Sequence, residues 1–345
     1  TPQRDMLAFP SQPADVYFRD WRLLGAEYLV VGSLSVMPDR RYELEFSLLS
    51  VNSQRIQFTH KVRSPASEMR DLAHAVSDKI YQAITGIRGA FATRLAYVSV
   101  IREGDDFTYR LQVADADGAR ESLMLESKQP IMSPTWAPSG NELAYVSFET
   151  GRPAIFRQNL LTAERRQLTS FKGLNGAPSW SPDGTKLAIV LSKDGNPEIY
   201  TLDLNTNKLV RLTRHFAIDT EPTWMPDGKH ILFTSDRGGS PQIYKLKLSD
   251  KSVKRVTFKG NYNARPNIAP DGRTVAMVHR SSDVFHIAAL DLKTGRLLEL
   301  TETTLDESPS LAPNGAMLMY ATKYDNKGIL AAVSIDAGVK YNLPA

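Results

Sequence analysis

A motif related to Pro-x-Trp-x-Pro-Asp-Gly recurs five times along this 345-residue chain, and it constrains the fold more than any other feature. The clearest copy is residues 177–184, APSWSPDG. The leading prolines of the five copies are Pro134, Pro178, Pro222, Pro266 and Pro309. Successive prolines are therefore 44, 44, 44 and 43 residues apart. A spacing this regular indicates that much of the chain repeats one structural unit.

Each period contains four short apolar runs in the same phase. In the second copy, a run at 187–190 follows the motif, a third lies at 199–204, and a fourth ends in Leu212-Thr213. Runs of about five residues separated by turn residues are typical of β-strands. Four such strands in a period of about 44 residues predict the blade of a β-propeller.

The Pro-Asp-Gly element predicts the turn between the first two strands of a blade. Proline presets φ for the second position of a type I turn, and glycine accepts the left-handed conformation that closes the hairpin. Pro182, Asp183 and Gly184 are the example from the second copy. The preceding Trp180 offers a large apolar side chain, so we expect it to pack between neighbouring blades rather than to stack on a cofactor.

Counting blades gives six, within residues 91–345. The earliest blade has its second, third and fourth strands at 94–99, 109–113 and 121–124, but no first strand precedes them. Because a ring removes unpaired strand edges only by closing, we expect the missing strand to come from the other end of the chain. The repeat phase places a sixth copy beyond Ala345, so we expect the C-terminus to be trimmed or disordered.

Residues 1–90 break the repeat and predict a separate α/β domain that is incomplete at its start. Residues 15–25 have a helical pattern, and strands are predicted at 28–33, 42–51 and 55–62, the second with one solvated face because apolar and polar residues alternate from Tyr42. A second helix is predicted to begin at Ser64-Pro65 and to end at Gly86.

Composition excludes several classes of function. The chain has no cysteine, so it has no disulfide, thiolate metal site or cysteine nucleophile. Its 42 basic and 38 acidic residues leave a net charge of +4 without a basic arm, so nucleic acid is not an expected partner. No apolar stretch is long enough to span a bilayer.

No catalytic, cofactor or metal motif is persuasive. The Gly-x-Ser-x-Gly, His-Glu-x-x-His, Walker and dinucleotide patterns are all missing. Asp115 and Asp117 resemble part of a calcium loop, but Met124 occupies the position of the bidentate glutamate, and a hairpin turn is the better interpretation. His279 and His286 lie on adjacent strands and could approach each other as a metal pair, but ordinary sheet histidines are the preferred interpretation.

The residues immediately before each Pro-x-Trp are the candidate site. In a propeller the innermost strands border the central channel, so we expect these residues to lie around one mouth of it. They differ from copy to copy, as an asymmetric recognition surface requires, whereas solvated loop tips are the alternative explanation. The pairs are Met132-Ser133, Gly176-Ala177, Thr220-Glu221, Ala264-Arg265 and Glu307-Ser308.

The chain resembles the TolB family of the Tol-Pal system over essentially its whole length. The isolated Pro-Asp-Gly repeat is common to many propellers, but longer strings beside the α/β domain make the resemblance specific. These strings are ITGIRGAF at 84–91, MSPTW at 132–136, NGAP at 175–178, TEPTW at 220–224 and LDESPSLAPNG at 305–315.

The resemblance implies a periplasmic, non-enzymatic and monomeric binding protein that supports outer-membrane integrity and constriction during division. In this family the channel mouth binds Pal, the peptidoglycan-associated lipoprotein, which links the protein to the outer membrane, and bacteriocin peptides exploit the same surface. The family engages TolA through an extreme N-terminal segment, which is expected to be missing here. The Pal contacts carried onto this chain are Thr220 and Glu221 foremost, with Met132, Ser133, Ala177, Arg265 and Glu307 beside them.

The competing hypothesis is a propeller-type hydrolase or polysaccharide lyase. A prolyl oligopeptidase needs a hydrolase domain, and no chain remains for one once 132–345 forms blades. A lyase needs a metal or base cluster in the channel, yet the residues before each Pro-x-Trp include no histidine. The sequence therefore predicts no catalytic residue, cofactor or metal.

Overall fold

The computed structural model describes residues 10–303, 305–336 and 338–343. The chain divides into two compact units, Thr1–Ala92 and Thr93–Ala345. No helix in the described ranges has the length and apolar character needed to cross a bilayer.

From residue 10 onward, the first unit is a three-stranded antiparallel sheet with two helices. The strands, in the order β1-β2-β3, are β1 (Tyr28–Val36), β2 (Tyr42–Ser50) and β3 (Arg55–Ser64). The helices are α1 (Phe18–Leu23) and α2 (Met69–Thr85), with 3₁₀ turns at Pro13–Asp15 and Ala66–Glu68.

The central strand β2 departs from the predicted solvated face. Burial does not alternate along it: Tyr42, Glu43 and Leu44 are all half-buried, and the next buried run, 46–49, includes Phe46, Leu48 and Leu49, each at most 2% exposed. Both faces are therefore covered over the second half of the strand, where Leu49 packs in the cluster with Val16 and Phe46 contacts the ring of Phe58. The alternation identified the strand but not its surroundings.

Helix α2 ends where the sequence predicts and begins later. Gly86 has φ 74°, and its N–H donates to the carbonyl of Gln82 at 2.8 Å, which caps the helix. The predicted start at Ser64 is wrong, because Ser64 pairs with Tyr42 as the last residue of β3. The α-helix begins only at Met69, after the 3₁₀ turn.

The second unit contains only sheets among its described residues. The first three sheets are β4 (Arg94–Glu103), β5 (Asp106–Asp115), β6 (Ser122–Ser127); β7 (Ile131–Trp136), β8 (Glu142–Ser147), β9 (Ala154–Asn159), β10 (Arg165–Thr169); and β11 (Asn175–Trp180), β12 (Lys186–Leu191), β13 (Glu198–Asp203), β14 (Leu209–Arg211). The last three are β15 (Asp219–Trp224), β16 (His230–Ser235), β17 (Gln242–Lys247), β18 (Val253–Arg255); β19 (Tyr262–Ile268), β20 (Thr274–Ser281), β21 (Val284–Asp291), β22 (Leu297–Glu299); and β23 (Glu307–Leu311), β24 (Met317–Tyr324), β25 (Lys327–Ser334), β26 (Lys340–Asn342).

Each sheet is an antiparallel meander in chain order, and the first strands of successive sheets lie side by side. Five sheets have four strands, whereas the sheet β4-β5-β6 has three, as predicted from its missing first strand. The predicted C-terminal closing strand lies outside the described residues. These features agree with blades of a β-propeller.

Tryptophans pack between neighbouring sheets as the sequence predicts. Trp180 is 7% exposed and packs against Ala144 and Val146 of the preceding sheet and Leu187 of its own. Its indole Nε1–H donates to the carbonyl of Thr135 at 3.3 Å. Further sheet-to-sheet hydrogen bonds run from Thr223 Oγ1 to the Pro266 carbonyl at 2.6 Å and from Leu311 N–H to Asn267 Oδ1 at 2.9 Å.

The Pro-Asp-Gly turns form by the predicted mechanism. Gly184 has φ 71°, and its N–H donates to the Ser181 carbonyl at 2.9 Å. The carboxylate of Asp183 accepts hydrogen bonds from the hydroxyl of Ser181 and from the N–H and hydroxyl of Thr185. These donors, that of Ser181 foremost, lower the pKa of Asp183 to about 2.

The two ends of the second unit follow from strand direction. The first strands begin at one edge, which we call the upper rim; the loops that join successive sheets (170–174, 214–218 and 258–261) lie there. The Pro-Asp-Gly turns and the turns between third and fourth strands lie at the opposite edge, the lower rim. The residues before each Pro-x-Trp lie near the upper rim.

Candidate functional site

The residue before each leading proline has a left-handed backbone in all five copies. The φ angles are 51° at Ser133, 45° at Ala177, 52° at Glu221, 54° at Arg265 and 57° at Ser308. A positive φ is uncommon for residues with a Cβ, and proline further restricts the residue before it. Because a positive φ occurs at the same position in all five copies, it is a regular feature of the repeat and not a local irregularity.

A β-bulge produces this conformation. In the fourth sheet Thr220 pairs with Thr234, and Thr223 pairs with Leu232, so Glu221 and Pro222 together oppose a single residue of β16. Bulges re-aim a side chain and tolerate proline, because the ladder is interrupted at that point. The same register shift occurs in the first strand of all five four-stranded sheets. The bulge therefore presents one variable side chain per sheet near the upper rim.

Three of the predicted residues form one hydrogen-bonded chain across three sheets. Arg265 Nε donates to Glu221 Oε1 at 2.9 Å, and its backbone N–H donates to Glu221 Oε2 at 2.9 Å. Arg265 Nη1 donates to Ser308 Oγ at 2.5 Å. The side chains of Glu221 and Arg265 are 26% and 44% exposed, so solvent and a partner can both reach the pair. Such charge-assisted contacts hold the side chains in defined positions.

Thr234 completes this network and was not predicted from sequence. Its hydroxyl donates to Glu221 Oε2 at 2.8 Å and accepts from the Arg265 backbone N–H at 3.0 Å. Thr234 lies on the second strand of its blade, so a search confined to the residues before Pro-x-Trp does not reach it. The register of β15 against β16 would have indicated it.

The remaining predicted residues are near the upper rim but make no side-chain hydrogen bond with this network in the described part of the chain. Met132 is 49% exposed, and Ser133 is exposed beside it. Ala177 packs against the buried cluster between the third and fourth sheets. Glu307 is exposed at the start of β23, and Thr220 is half-buried opposite Thr234.

Buried polar side chains anchor the upper rim beneath these residues. Asp219 is fully buried, and both of its carboxylate oxygens accept from Arg237 Nη2, at 2.9 and 2.7 Å. At the equivalent position of the third sheet, Asn175 donates to the carbonyls of Phe171 and Gly173. In the fifth, Asn263 donates to Gln242 Oε1 at 2.8 Å. Buried polar residues thus stand at the start of three of the first strands, whereas Ile131 holds the equivalent position in the second sheet.

The residues that the sequence offered as weak metal-site candidates lie within or beside the sheets. His279 and His286 are cross-strand neighbours in β20 and β21. His279 Nδ1 lies 2.8 Å from Asn263 Oδ1, and burial lowers the pKa of His279. The segment around Asp115 is a hairpin turn, in which the Asp115 carboxylate accepts from Arg120 Nε at 2.8 Å. His279 is therefore a buried sheet residue, and Asp115 stands at the start of a hairpin turn.

Comparison with known proteins gives the same family over both units. The amino-terminal domain model of TolB matches residues 1–57, and the TolB beta propeller domain model matches residues 81–345. The Tol-Pal system protein TolB of Marinomonas sp. is 62% identical over 100% of this chain and 80% of its own length. That of Pseudomonas fluorescens is 60% identical over 99% of this chain and 80% of its own.

A solved structure agrees with these relatives. The crystal structure of TolB from Acinetobacter baumannii has a TM-score of 0.93 and 45% sequence identity. The match covers 99% of this chain and 86% of the Acinetobacter chain.

Proposed function

Because this chain belongs to the TolB family and is thus a component of the Tol-Pal system, we propose that it is a periplasmic protein that binds the lipoprotein Pal at the channel mouth. Through Pal it is peripheral to the outer membrane, supports the integrity of that membrane and acts in constriction during cell division. It acts by binding and has no catalytic residue. A monomer suffices for this role.

The fold proposed for this role is a closed six-bladed propeller at 91–345, preceded by an α/β domain at 1–90. The six sheets of the described residues, with one strand short in the first, support this count. Closure would bring the first strands into a ring, so that the residues before each Pro-x-Trp surround one mouth of the central channel.

The observation that carries the proposal is the set of five bulged residues with unlike side chains. A purely structural repeat would be served by one small residue, and glycine would adopt these φ angles at least cost. Instead the positions hold serine, alanine, glutamate, arginine and serine, and backbone strain of this kind is concentrated at functional sites. A surface that is rigid and chemically uneven suits recognition of one protein partner.

Within this surface, Thr220 and Glu221 are the proposed centre of the Pal contact, flanked by Met132, Ser133, Ala177, Arg265 and Glu307. The two carboxylate oxygens of Glu221 can accept about four hydrogen bonds, and they accept three from Arg265 and Thr234. The remaining capacity accepts a backbone N–H or a basic side chain of Pal. We further propose that bacteriocin peptides use the same mouth and that the TolA contact belongs to the extreme N-terminal segment of the family.

The test is calorimetric titration of this protein with the soluble domain of its cognate Pal. Glu221→Ala should weaken binding about 10- to 100-fold, since hydrogen bonds to charged groups contribute about 1.5–3 kcal/mol. The matched control is Glu164→Ala, an exposed glutamate at the lower rim. Unchanged affinity for Glu221→Ala would remove Glu221 from the site, and a wild-type protein that does not bind Pal would overturn the proposal.

A further inference from the structure

Five lysines lie together in the lower half of the fourth sheet. We call them the lysine cluster: Lys229, Lys245, Lys247, Lys251 and Lys254. Two of them, Lys245 and Lys254, are direct cross-strand neighbours on β17 and β18. Side chains two apart on a strand share a face of the sheet, so Lys247 lies on the same face as this pair. The carbonyl of Lys229 accepts the N–H of Leu248 at 3.0 Å, which places Lys229 beside the end of β17.

The fold of a blade does not require lysine at these positions. Strand register identifies the equivalent residues in the neighbouring sheets. In the third sheet they are Thr185, Thr201, Asp203, Asn207 and Val210. In the fifth sheet they are Arg273, Ala289, Asp291, Gly295 and Leu298. Small, apolar and acidic residues thus serve the same backbone, so the lysines of the fourth sheet need another explanation.

Three of the lysines are unfavourable choices for local structure. Like charges directly opposite each other on antiparallel strands are destabilising, as Lys245 and Lys254 are here. Lys251 has φ 59°, a left-handed backbone that the third and fifth sheets assign to Asn207 and Gly295. Asparagine and glycine adopt this conformation more readily than lysine does. Residues that conflict with local preferences in this way are expected where a function favours them.

The carboxylates near the cluster do not neutralise it. Asp227 accepts from the N–H groups of Lys229 and His230 within its turn, at 2.8 and 3.1 Å. Asp250 accepts from the N–H and hydroxyl of Ser252, at 3.0 and 2.7 Å, and from Lys247 Nζ at 3.1 Å. Five lysines and these two aspartates leave a net charge of +3.

Two kinds of observation show how this charge is distributed. Among the described residues, Lys229, Lys245 and Lys254 take part in no ion pair, and all the lysines of the cluster except the half-buried Lys245 are exposed. The corresponding turns of the third sheet, 181–186 and 203–208, contain two acidic and two basic residues. Those of the fifth sheet, 269–274 and 291–296, contain two acidic and three basic residues. Positive charge is therefore concentrated on the fourth sheet.

The composition of the cluster favours a membrane surface over a protein as its partner. No large apolar side chain is exposed anywhere in the segment 229–254, all of which the structure describes. Protein interfaces depend on buried aromatic and arginine anchors and are depleted in lysine. Lysine is a hydrated point charge on a flexible stem, which suits many mobile phosphate groups better than one fixed carboxylate geometry.

We propose that the lysine cluster binds the phosphate headgroups of an anionic phospholipid bilayer directly. The contact is electrostatic: the ammonium groups lie among the headgroups, and no side chain enters the hydrocarbon. Because the cluster lies toward the lower rim and the bulged residues lie near the upper rim, this contact leaves the proposed Pal surface free. The inference goes beyond the proposed function and does not depend on it.

The test is co-sedimentation of the full chain with phosphatidylcholine vesicles that contain about one third phosphatidylglycerol. The wild-type protein should bind these vesicles at low salt, release them at high salt and ignore pure phosphatidylcholine. The double variant Lys245→Gln/Lys254→Gln should bind about 25-fold more weakly, because each lysine near an anionic surface contributes about fivefold. The control Lys172→Gln/Lys259→Gln removes the same charge from exposed upper-rim positions and should bind within about twofold of wild type.

Thermal unfolding of the same variants separates binding from folding. Removing the like-charge pair should leave the Tm unchanged or raise it, whereas a structural role for these lysines would lower it. A lower Tm of the double variant would therefore overturn the proposal.

The binding data can overturn it in two further ways. The double variant could bind anionic vesicles as tightly as wild type. Alternatively, the wild-type protein could fail to prefer anionic over neutral vesicles, which would leave an acidic protein surface as the explanation of the cluster. The vesicles contain no Pal, so either failure leaves the proposed function standing.

Discussion

Trp180 and Trp224 offer a matched test of how the sheets are held together. They occupy the same position in consecutive repeats, and both are 7% exposed. Trp180 donates its indole N–H to the Thr135 carbonyl, whereas Trp224 Nε1 is buried without a hydrogen-bond partner among the described residues. Substitution of each by phenylalanine removes the same atoms from similar packing, so the cavity cost largely cancels when the two variants are compared.

The difference that remains comes from hydrogen bonding. Trp180→Phe loses a bond with a net contribution of about 1 kcal/mol. Trp224→Phe removes a buried donor whose unmet desolvation cost is about 1 kcal/mol or more. Trp180→Phe should therefore be the less stable variant by about 2 kcal/mol. For a unit of this size, that difference corresponds to about 4–8 °C in Tm.

The assay is thermal unfolding of both variants by differential scanning calorimetry. Trp21→Phe, in the first unit, controls for the loss of an indole as such. Equal Tm values for the two propeller variants, or a lower Tm for Trp224→Phe, would refute the reasoning.

Three further predictions concern stability. Asp219→Ala should cost about 3 kcal/mol or more in denaturant unfolding, because it leaves the guanidinium of Arg237 without its buried carboxylate; a loss below 1 kcal/mol would contradict the buried ion pair. The low pKa of Asp183, about 2, means that its stabilising effect is present above its unfolded pKa of about 3.9 and is lost as the pH falls toward 2. The Tm gap between wild type and Asp183→Ala should therefore narrow between pH 5 and pH 2, and a constant gap would exclude this mechanism. Gly86→Ala should destabilise the first unit by about 1 kcal/mol through its positive φ alone, since nothing lies within 4 Å of the added Cβ; an unchanged Tm would show that the helix end relaxes.

The repeated sheets could be predicted from the sequence because the same turn and core residues recur in five copies of the motif. Pro182, Asp183 and Gly184 specify a turn through their own backbone preferences, and Trp180 specifies burial by its size. Such signals come from single residues, so they can be interpreted without knowing which strands lie beside them. The start of α2 was wrong because the Ser64-Pro65 pair also suits the end of a strand, and pairing with β2 decided between the two.

The candidate site was predicted only in outline. The residues before Pro-x-Trp were identified by their variation, but their left-handed backbone and the bond from Glu221 to Arg265 depend on strand register and on the neighbouring sheet. Thr234 gave no signal in the repeat. Its place in the site follows from a hydrogen bond to Glu221 on the neighbouring strand, which no local pattern encodes.

The bulge in each first strand separates two tasks that most surfaces combine. Proline and the interrupted ladder set the backbone, while the side chain ahead of the proline makes none of the hydrogen bonds of the ladder. Evolution or protein engineering can therefore substitute the five residues before the prolines, and so change the binding partner, while the fold is preserved.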